Sequence, residues 1–215
     1  MQNRSIFSSE HELFRENARR FFRTELEPNI ERWEKDGIVP KSFWRKAGEN
    51  GFLCCGVPEE YGGPGADFLY NMVLSEETGY AIGGASVGFS VSADIVAYYL
   101  MNAGTEDQKR QWLPNMVTGE TIASIGMTEP GAGSDLKAIR TSAVRDGDEY
   151  VINGQKTYIT NGQNSDFVLL ACVTDPGKGA RGISMIIVET DRPGFERGRN
   201  LDKIGQKAAD TSEMF

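Results

Sequence analysis

Apolar residues recur at helical spacing through the first half of the chain and give way to short, turn-bounded runs in the second. Phe14, Ala18, Phe21, Phe22 and Leu26 share one helical face, with charged residues opposite, until Pro28 interferes. Ser9 with Glu12 predicts a capping box at the start of that helix. Ser42 can cap a second, short helix carrying Phe43, Trp44 and Ala47, with Gly51 as its stop. After the loop "PEEYGGPGAD", the segments "DFLYNMVLSEETGYA" and "ASVGFSVSADIVAYYLMNAG" read as two more helices. The second is nearly apolar from Val87 to Met101, which predicts burial. Thr105 and Gln108 form another capping box, and Pro114 leaves the end of that helix open. Residues 1–120 are therefore expected to be an N-terminal, all-α domain.

From Thr121 onward the helical period is lost. "RDGDEYVINGQKTYITNG" sets Asp-Gly and Asn-Gly pairs between β-prone runs, the pattern of hairpins. "DFVLLACVT" and "GISMIIVET" read as two further strands flanking "DPGKGAR". Residues 121–215 are expected to be a small antiparallel β-barrel or sandwich, so the fold class is α+β, multidomain.

Composition narrows the function. The net charge is −8, with 23 basic residues scattered among 31 acidic ones, which argues against a nucleic-acid surface. Cys54, Cys55 and Cys172 lack C-x-x-C spacing, so neither a zinc site nor a disulfide framework is expected, and a reducing compartment is the natural inference. The start "MQNRSIFSSE" has neither an apolar h-region nor an Arg-rich transit composition, and no apolar run approaches membrane-spanning length. The expected setting is the bacterial cytoplasm, or the mitochondrial matrix for a processed chain. His11, the single histidine, is expected at a surface position and leaves Ser-His and Cys-His nucleophile systems without a partner. The acidic pairs Glu59-Glu60 and Glu76-Glu77 are expected to be solvated, because adjacent helical residues point different ways.

The most particular stretch is "GMTEPGAGSD", residues 126–135. It lacks the lysine of a P-loop and the strand-to-helix setting of a dinucleotide fingerprint. What remains is a backbone open to close approach by a flat or anionic ligand at Gly131 and Gly133, with hydroxyls at Thr128 and Ser134. The competing reading is a tight connection whose glycines only permit positive φ.

The order "GMTEPGAGSDLKA", followed two dozen residues later by "KTYITNG", resembles the flavin-dependent acyl-CoA dehydrogenases. The likeness continues through "RGISMIIVE" and "GRNLDKIGQKAADTSEMF", and "IFSSEHELFR" with "WEKDG" looks closest to the long-chain branch. The resemblance implies FAD as cofactor, with Ile125, Gly126, Met127, Thr128, Gly133 and Ser134 lining the flavin's pyrimidine side and pyrophosphate. Tyr158 would lie against the isoalloxazine face, an aromatic surface suited to stacking, with Ile159 and Thr160 completing the wall. Ser134 would also touch the CoA portion of the substrate, and Ala180 and Arg181 would meet its phosphate or adenine. Val87, Val91 and Ile95, on one face by i, i+4, i+8 spacing, would border the fatty tail.

The activity so implied is α,β-dehydrogenation of a fatty acyl-CoA thioester to trans-2-enoyl-CoA, with electrons passed to an electron-transfer flavoprotein by a homodimer or homotetramer. In the family the base is a glutamate from a third, C-terminal helical-bundle domain. That domain is expected to be absent here, leaving no catalytic residue to assign and an inactive fragment. Glu129, nearest the motif, matches a signature residue and receives no catalytic role. No metal site is expected. Two alternatives stand: an acyl-CoA oxidase, or a truncated, non-catalytic module that binds flavin or acyl-CoA.

Overall fold

The structure, a computed structural model, describes residues 5–215. Residues 1–4, the start of the stretch read above as free of a leader, lie outside the described residues. The chain divides into two compact units: a helical one reaching Thr121 and including Lys203–Ala209, and a β unit of Ile122–Asp202 with Asp210–Phe215.

In the helical unit, α1 (Ser9–Phe21) is capped one residue earlier than expected. Ser8 Oγ accepts from the His11 N–H at 3.4 Å, and His11 Nδ1 accepts from the Ser8 N–H at 3.0 Å. A histidine thus takes the part that the sequence reading gave to Glu12. His11 is accordingly no surface residue: it is buried, rests on the Tyr70 ring, and has Nε2 3.3 Å from Asp67 Oδ1. A π-helical turn, Phe22–Leu26, prolongs α1. Next come α2 (Ile30–Asp36) and α3 (Lys41–Glu49), which begins after Pro40, so Ser42 lies inside its first turn and caps nothing. The core between these helices is aromatic: Phe14 meets Phe52, Phe21 stacks on Phe43, and Trp44 sits edge-on to Phe89.

The Asp67 carboxylate caps α4 (Phe68–Tyr80) by accepting from the Leu69 N–H. The expectation that Glu76 and Glu77 are both solvated fails at Glu77, which is 2% exposed. It accepts from Arg19 Nε and Nη2 at 2.8 Å each and from Arg15 Nη1 at 3.3 Å, tying α1 to α4. A buried carboxylate persists where cations satisfy it.

The segment expected as one helix, "ASVGFSVSADIVAYYLMNAG" (residues 85–104), is three pieces. A short 3-10 turn, Gly84–Ser86, precedes Gly88 at φ 69°, and a π-helix, Ser90–Val96, then passes into α5 (Ala97–Ala103). In α6 (Glu106–Val117) the capping box of Thr105 and Gln108 forms as expected, and the helix runs through Pro114. Among the described residues no helix is long and apolar enough to cross a membrane.

The β unit holds two sheets and, among the described residues, no closed barrel. The larger sheet orders β1 (Ala123–Gly126), β5 (Phe167–Val173), β2 (Ser142–Asp146) and β3 (Glu149–Asn153), with β6 (Ile183–Glu189) also on β5. The smaller one orders β4 (Lys156–Thr160), β8 (Thr211–Met214) and β7 (Arg197–Asn200). Asp146-Gly147 makes the expected hairpin, with Gly147 at φ 61°. β5 and β6 also pair antiparallel, as their sequences suggest. Against the all-antiparallel expectation, β1 and β2 run parallel to β5. Asn153-Gly154 is not a hairpin turn either, because β3 and β4 belong to different sheets. Gly154 is small for another reason: a Cβ there would come within 2.3 Å of Thr141 Oγ1. Phe215 exchanges backbone hydrogen bonds with Glu196 at 2.9 Å each.

Candidate functional site

The glycine loop grows from the end of β1. Glu129 and Ala132 exchange backbone hydrogen bonds at 2.9 and 3.1 Å, folding Pro130-Gly131 into a tight turn. Ala132 is buried with Ile139 and Ala171, which anchors the loop from below. Its upper side is open. A Cβ at Gly131 or Gly133 would meet nothing within 4 Å, and neither glycine has positive φ. Neither the chain's own packing nor backbone conformation requires glycine at these two positions, contrary to the simple-turn reading. An approaching ligand supplies a reason that the chain does not.

Strand β4 is laced to this loop. The Thr157 N–H donates to the Thr128 carbonyl at 2.9 Å. The register of β4 on β8 shifts between Lys156 and Ile159, and at that irregularity Tyr158 adopts φ 59° with 70% of its surface exposed. A left-handed tyrosine costs of order 1–3 kcal/mol, and such strain concentrates where a side chain is aimed for use. Ile159 turns the other way, 2% exposed in the cluster of Val168, Leu170 and Met214, so it reaches the open side only through its backbone. Thr160 is half-buried beside Thr211.

Beneath the junction lies an ion pair that the sequence reading missed. Lys156, 2% exposed, donates to Glu129 Oε1 at 2.8 Å and to the Met127 carbonyl at 3.1 Å. Glu129 also accepts from Thr141 Oγ1 at 2.5 Å, the Thr141 N–H at 2.9 Å and the Arg140 N–H at 2.7 Å. Burial alone would raise its carboxyl; the Lys156, Thr141 and Arg140 donors outweigh that and hold it at about 2. With its oxygens so engaged, Glu129 is no candidate base. Burial pushes the neighbouring Cys172 thiol up to about 11, so it is no nucleophile. The signal available in sequence was a single lysine opening the otherwise uncharged run "KTYIT".

The remaining expected residues fall into two groups. Ile125 and Gly126 lie in β1, with Met127 and Thr128 directly after it. Ser134 is exposed, two residues before the 3-10 turn Leu136–Ala138. That turn adjoins the 3-10 segment Pro176–Gly182, which carries exposed Ala180 and Arg181. All of these lie in the β unit. In the helical unit, Val87 is buried ahead of the π-helix, Val91 is half-buried within it, and Ile95 is 40% exposed. The i→i+5 winding removes the single α-helical face that their spacing suggested.

The helical unit followed by the two-sheet unit, together with the motifs "GMTEPGAGSD" and "KTYITNG", points to the flavoprotein oxidoreductases that the motifs resemble. Residues 8–120 match the acyl-CoA dehydrogenase N-terminal domain and residues 124–215 the middle domain of the same family. The chain belongs to the acyl-CoA dehydrogenase family. It is 46% identical over 214 residues to the mitochondrial long-chain specific acyl-CoA dehydrogenase of Rattus norvegicus, covering 99% of this chain and 50% of that protein. An acyl-CoA dehydrogenase from Geobacillus kaustophilus superposes with a TM-score of 0.95 at 52% identity, covering 99% of this chain and 56% of that one. An acyl-CoA dehydrogenase complexed with FAD, from Bacillus anthracis, superposes with a TM-score of 0.89 at 32% identity, over 97% of this chain and 35% of that one. The chain spans about half the length of the curated relatives it matches.

Proposed function

We propose that this chain binds FAD on its β unit and contributes the flavin and acyl-CoA half-site of an enzyme that dehydrogenates fatty acyl-CoA thioesters to trans-2-enoyl-CoA. The observation that carries the reading is the hydrogen bond from the Thr157 N–H to the Thr128 carbonyl, which sets the open loop beside exposed Tyr158. The residues fit a flavin: Gly131 and Gly133 leave room for a planar or anionic group, and Tyr158 offers a ring face. When bound, FAD supplies the acceptor for the hydride that leaves the β-carbon. Thr128 and the backbone around Met127 would hold and orient the ring, with Thr160 beside it, and Ser134 with Arg181 would receive the CoA portion. Arg181 suits a phosphate because its guanidinium is planar and permanently charged. On the helical unit, Val91 and Ile95 would offer apolar side chains to an acyl tail.

Proton abstraction from the α-carbon needs a carboxylate with a free oxygen and a pKa nearer the working pH. Glu129 has neither, so we assign the base to the part of the relatives' length that this chain does not span. A long straight-chain substrate, an electron-transfer flavoprotein as acceptor, a homodimer or homotetramer, and a bacterial cytoplasmic or mitochondrial matrix setting belong to the same proposal. They rest on the likeness to the long-chain relatives.

The test is an anaerobic visible spectrum of the chain with FAD, before and after a saturated long-chain acyl-CoA. The expected result is a bound flavin whose band shifts without bleaching. Bleaching would place the base among these 215 residues, and failure to bind any flavin would overturn the loop-and-strand site.

A further inference from the structure

The buried pair of Lys156 and Glu129 is unexplained by stability alone. Replacing a buried ion pair by apolar groups of similar volume is commonly neutral or stabilising, because two charges must be stripped of water to form it. An apolar substitute could fill the space, but it could not hold a carbonyl. Lys156 Nζ lies 3.1 Å from the Met127 carbonyl, while Glu129 fixes the ammonium from the other side at 2.8 Å. Glu129 is itself held by Thr141 and the Arg140 N–H. The next carbonyl, that of Thr128, is taken by the Thr157 N–H.

These contacts have a geometric consequence. The chain has no cis peptide bond among the described residues, so in the Met127–Thr128 peptide the N–H points opposite to the carbonyl. A carbonyl drawn onto Lys156 therefore turns the Thr128 N–H away from the buried ammonium. We infer that Lys156 is a positioning residue: held by Glu129, its ammonium clamps the Met127 carbonyl and so aims the Thr128 N–H at the ligand in the glycine-loop site.

The inference rests on the flavin reading above, and its test separates the two. Three proteins are compared in FAD titrations followed by fluorescence and visible absorption, with circular dichroism and thermal unfolding as controls. They are the wild type, the charge-free double variant Lys156→Met/Glu129→Gln, and Thr141→Val. The last removes a donor to Glu129 but leaves Lys156 on the carbonyl. Loss of a hydrogen bond to a charged donor leads us to expect about a tenfold rise in the FAD Kd of the double variant, with a shifted flavin band. Thr141→Val should lose thermal stability yet keep its FAD Kd within about twofold.

FAD affinity that falls in proportion to melting temperature in both variants would show a merely structural pair and overturn the inference. Wild-type affinity in a folded double variant would do the same. A wild type that binds no FAD would remove the flavin reading, and this inference with it. A second measurement needs no variant and so covers a double variant that fails to fold. Hydrogen exchange at the Thr128 amide of the wild type should slow by about tenfold on adding FAD. An unchanged rate would mean that this N–H is not aimed at the ligand.

Discussion

At the residue scale, Tyr158 separates strain from stability. Its ring is 70% exposed and its φ is 59°, so the fold gains little from the side chain and is charged for the backbone. Tyr158→Gly should therefore leave stability equal or raise it by up to about 1 kcal/mol in urea unfolding, while weakening FAD roughly fivefold through the lost ring face. A marked loss of stability would show that the ring packs in the fold. Glu129 makes the complementary prediction. Its carboxyl lies at about 2 when folded against an ordinary value of 4.5, so its contribution is complete above about pH 4.5 and is lost as pH falls toward about 2. That difference corresponds to roughly 3 kcal/mol. The wild type should lose stability over this acid interval more steeply than Glu129→Gln, measured as unfolding midpoints against pH. Parallel acid limbs in the two proteins would show that Glu129 is not held ionised.

At the element scale, burial decides which ion pairs matter. Glu77 is 2% exposed and gathers two arginines between α1 and α4, whereas Arg45 and Glu120 pair at 2.8 Å in the open. Glu77→Ala should cost about 2 kcal/mol because it takes the two-pronged carboxylate from Arg19 and one of three carboxylates from Arg15, which keeps Glu12 and Glu76, and Arg45→Ala under about 1 kcal/mol. Equal costs in denaturant unfolding would contradict this ranking. The same contrast explains what could be read from sequence. The capping box at Thr105 was legible because it is local chemistry. The one at Ser8 was hidden because histidine replaced the expected carboxylate. Pro114 did not end α6, since buried Leu113 and Met116 hold that turn in place. The π-winding of Ser90–Val96 left no mark in the apolar pattern, which is the same for a buried α-helix.

At the scale of the whole molecule, the passage from helices to strands was plain in the hydrophobic period, while strand order was not. β8, from the end of the chain, lies between β4 and β7, and β1 runs parallel to β5. No local pattern encodes those long-range pairings. The site was legible only as motifs: the loop and "YIT" could be named, but the Lys156–Glu129 clamp that joins them needed the fold. If the ligand site belongs to the β unit, the response to FAD must be unequal across the chain. A ligand that binds the native state at about a hundred times its Kd adds roughly 2.7 kcal/mol to stability. Locally, the amides of residues 127–134, Pro130 apart, and of residues 157–160 should gain hydrogen-exchange protection on adding FAD. Those around Arg15, Arg19 and Glu77 should change only as far as global unfolding does. Protection concentrated instead on α1 and α4 would move the flavin off the glycine loop altogether, and would remove the reason offered here for its open glycines.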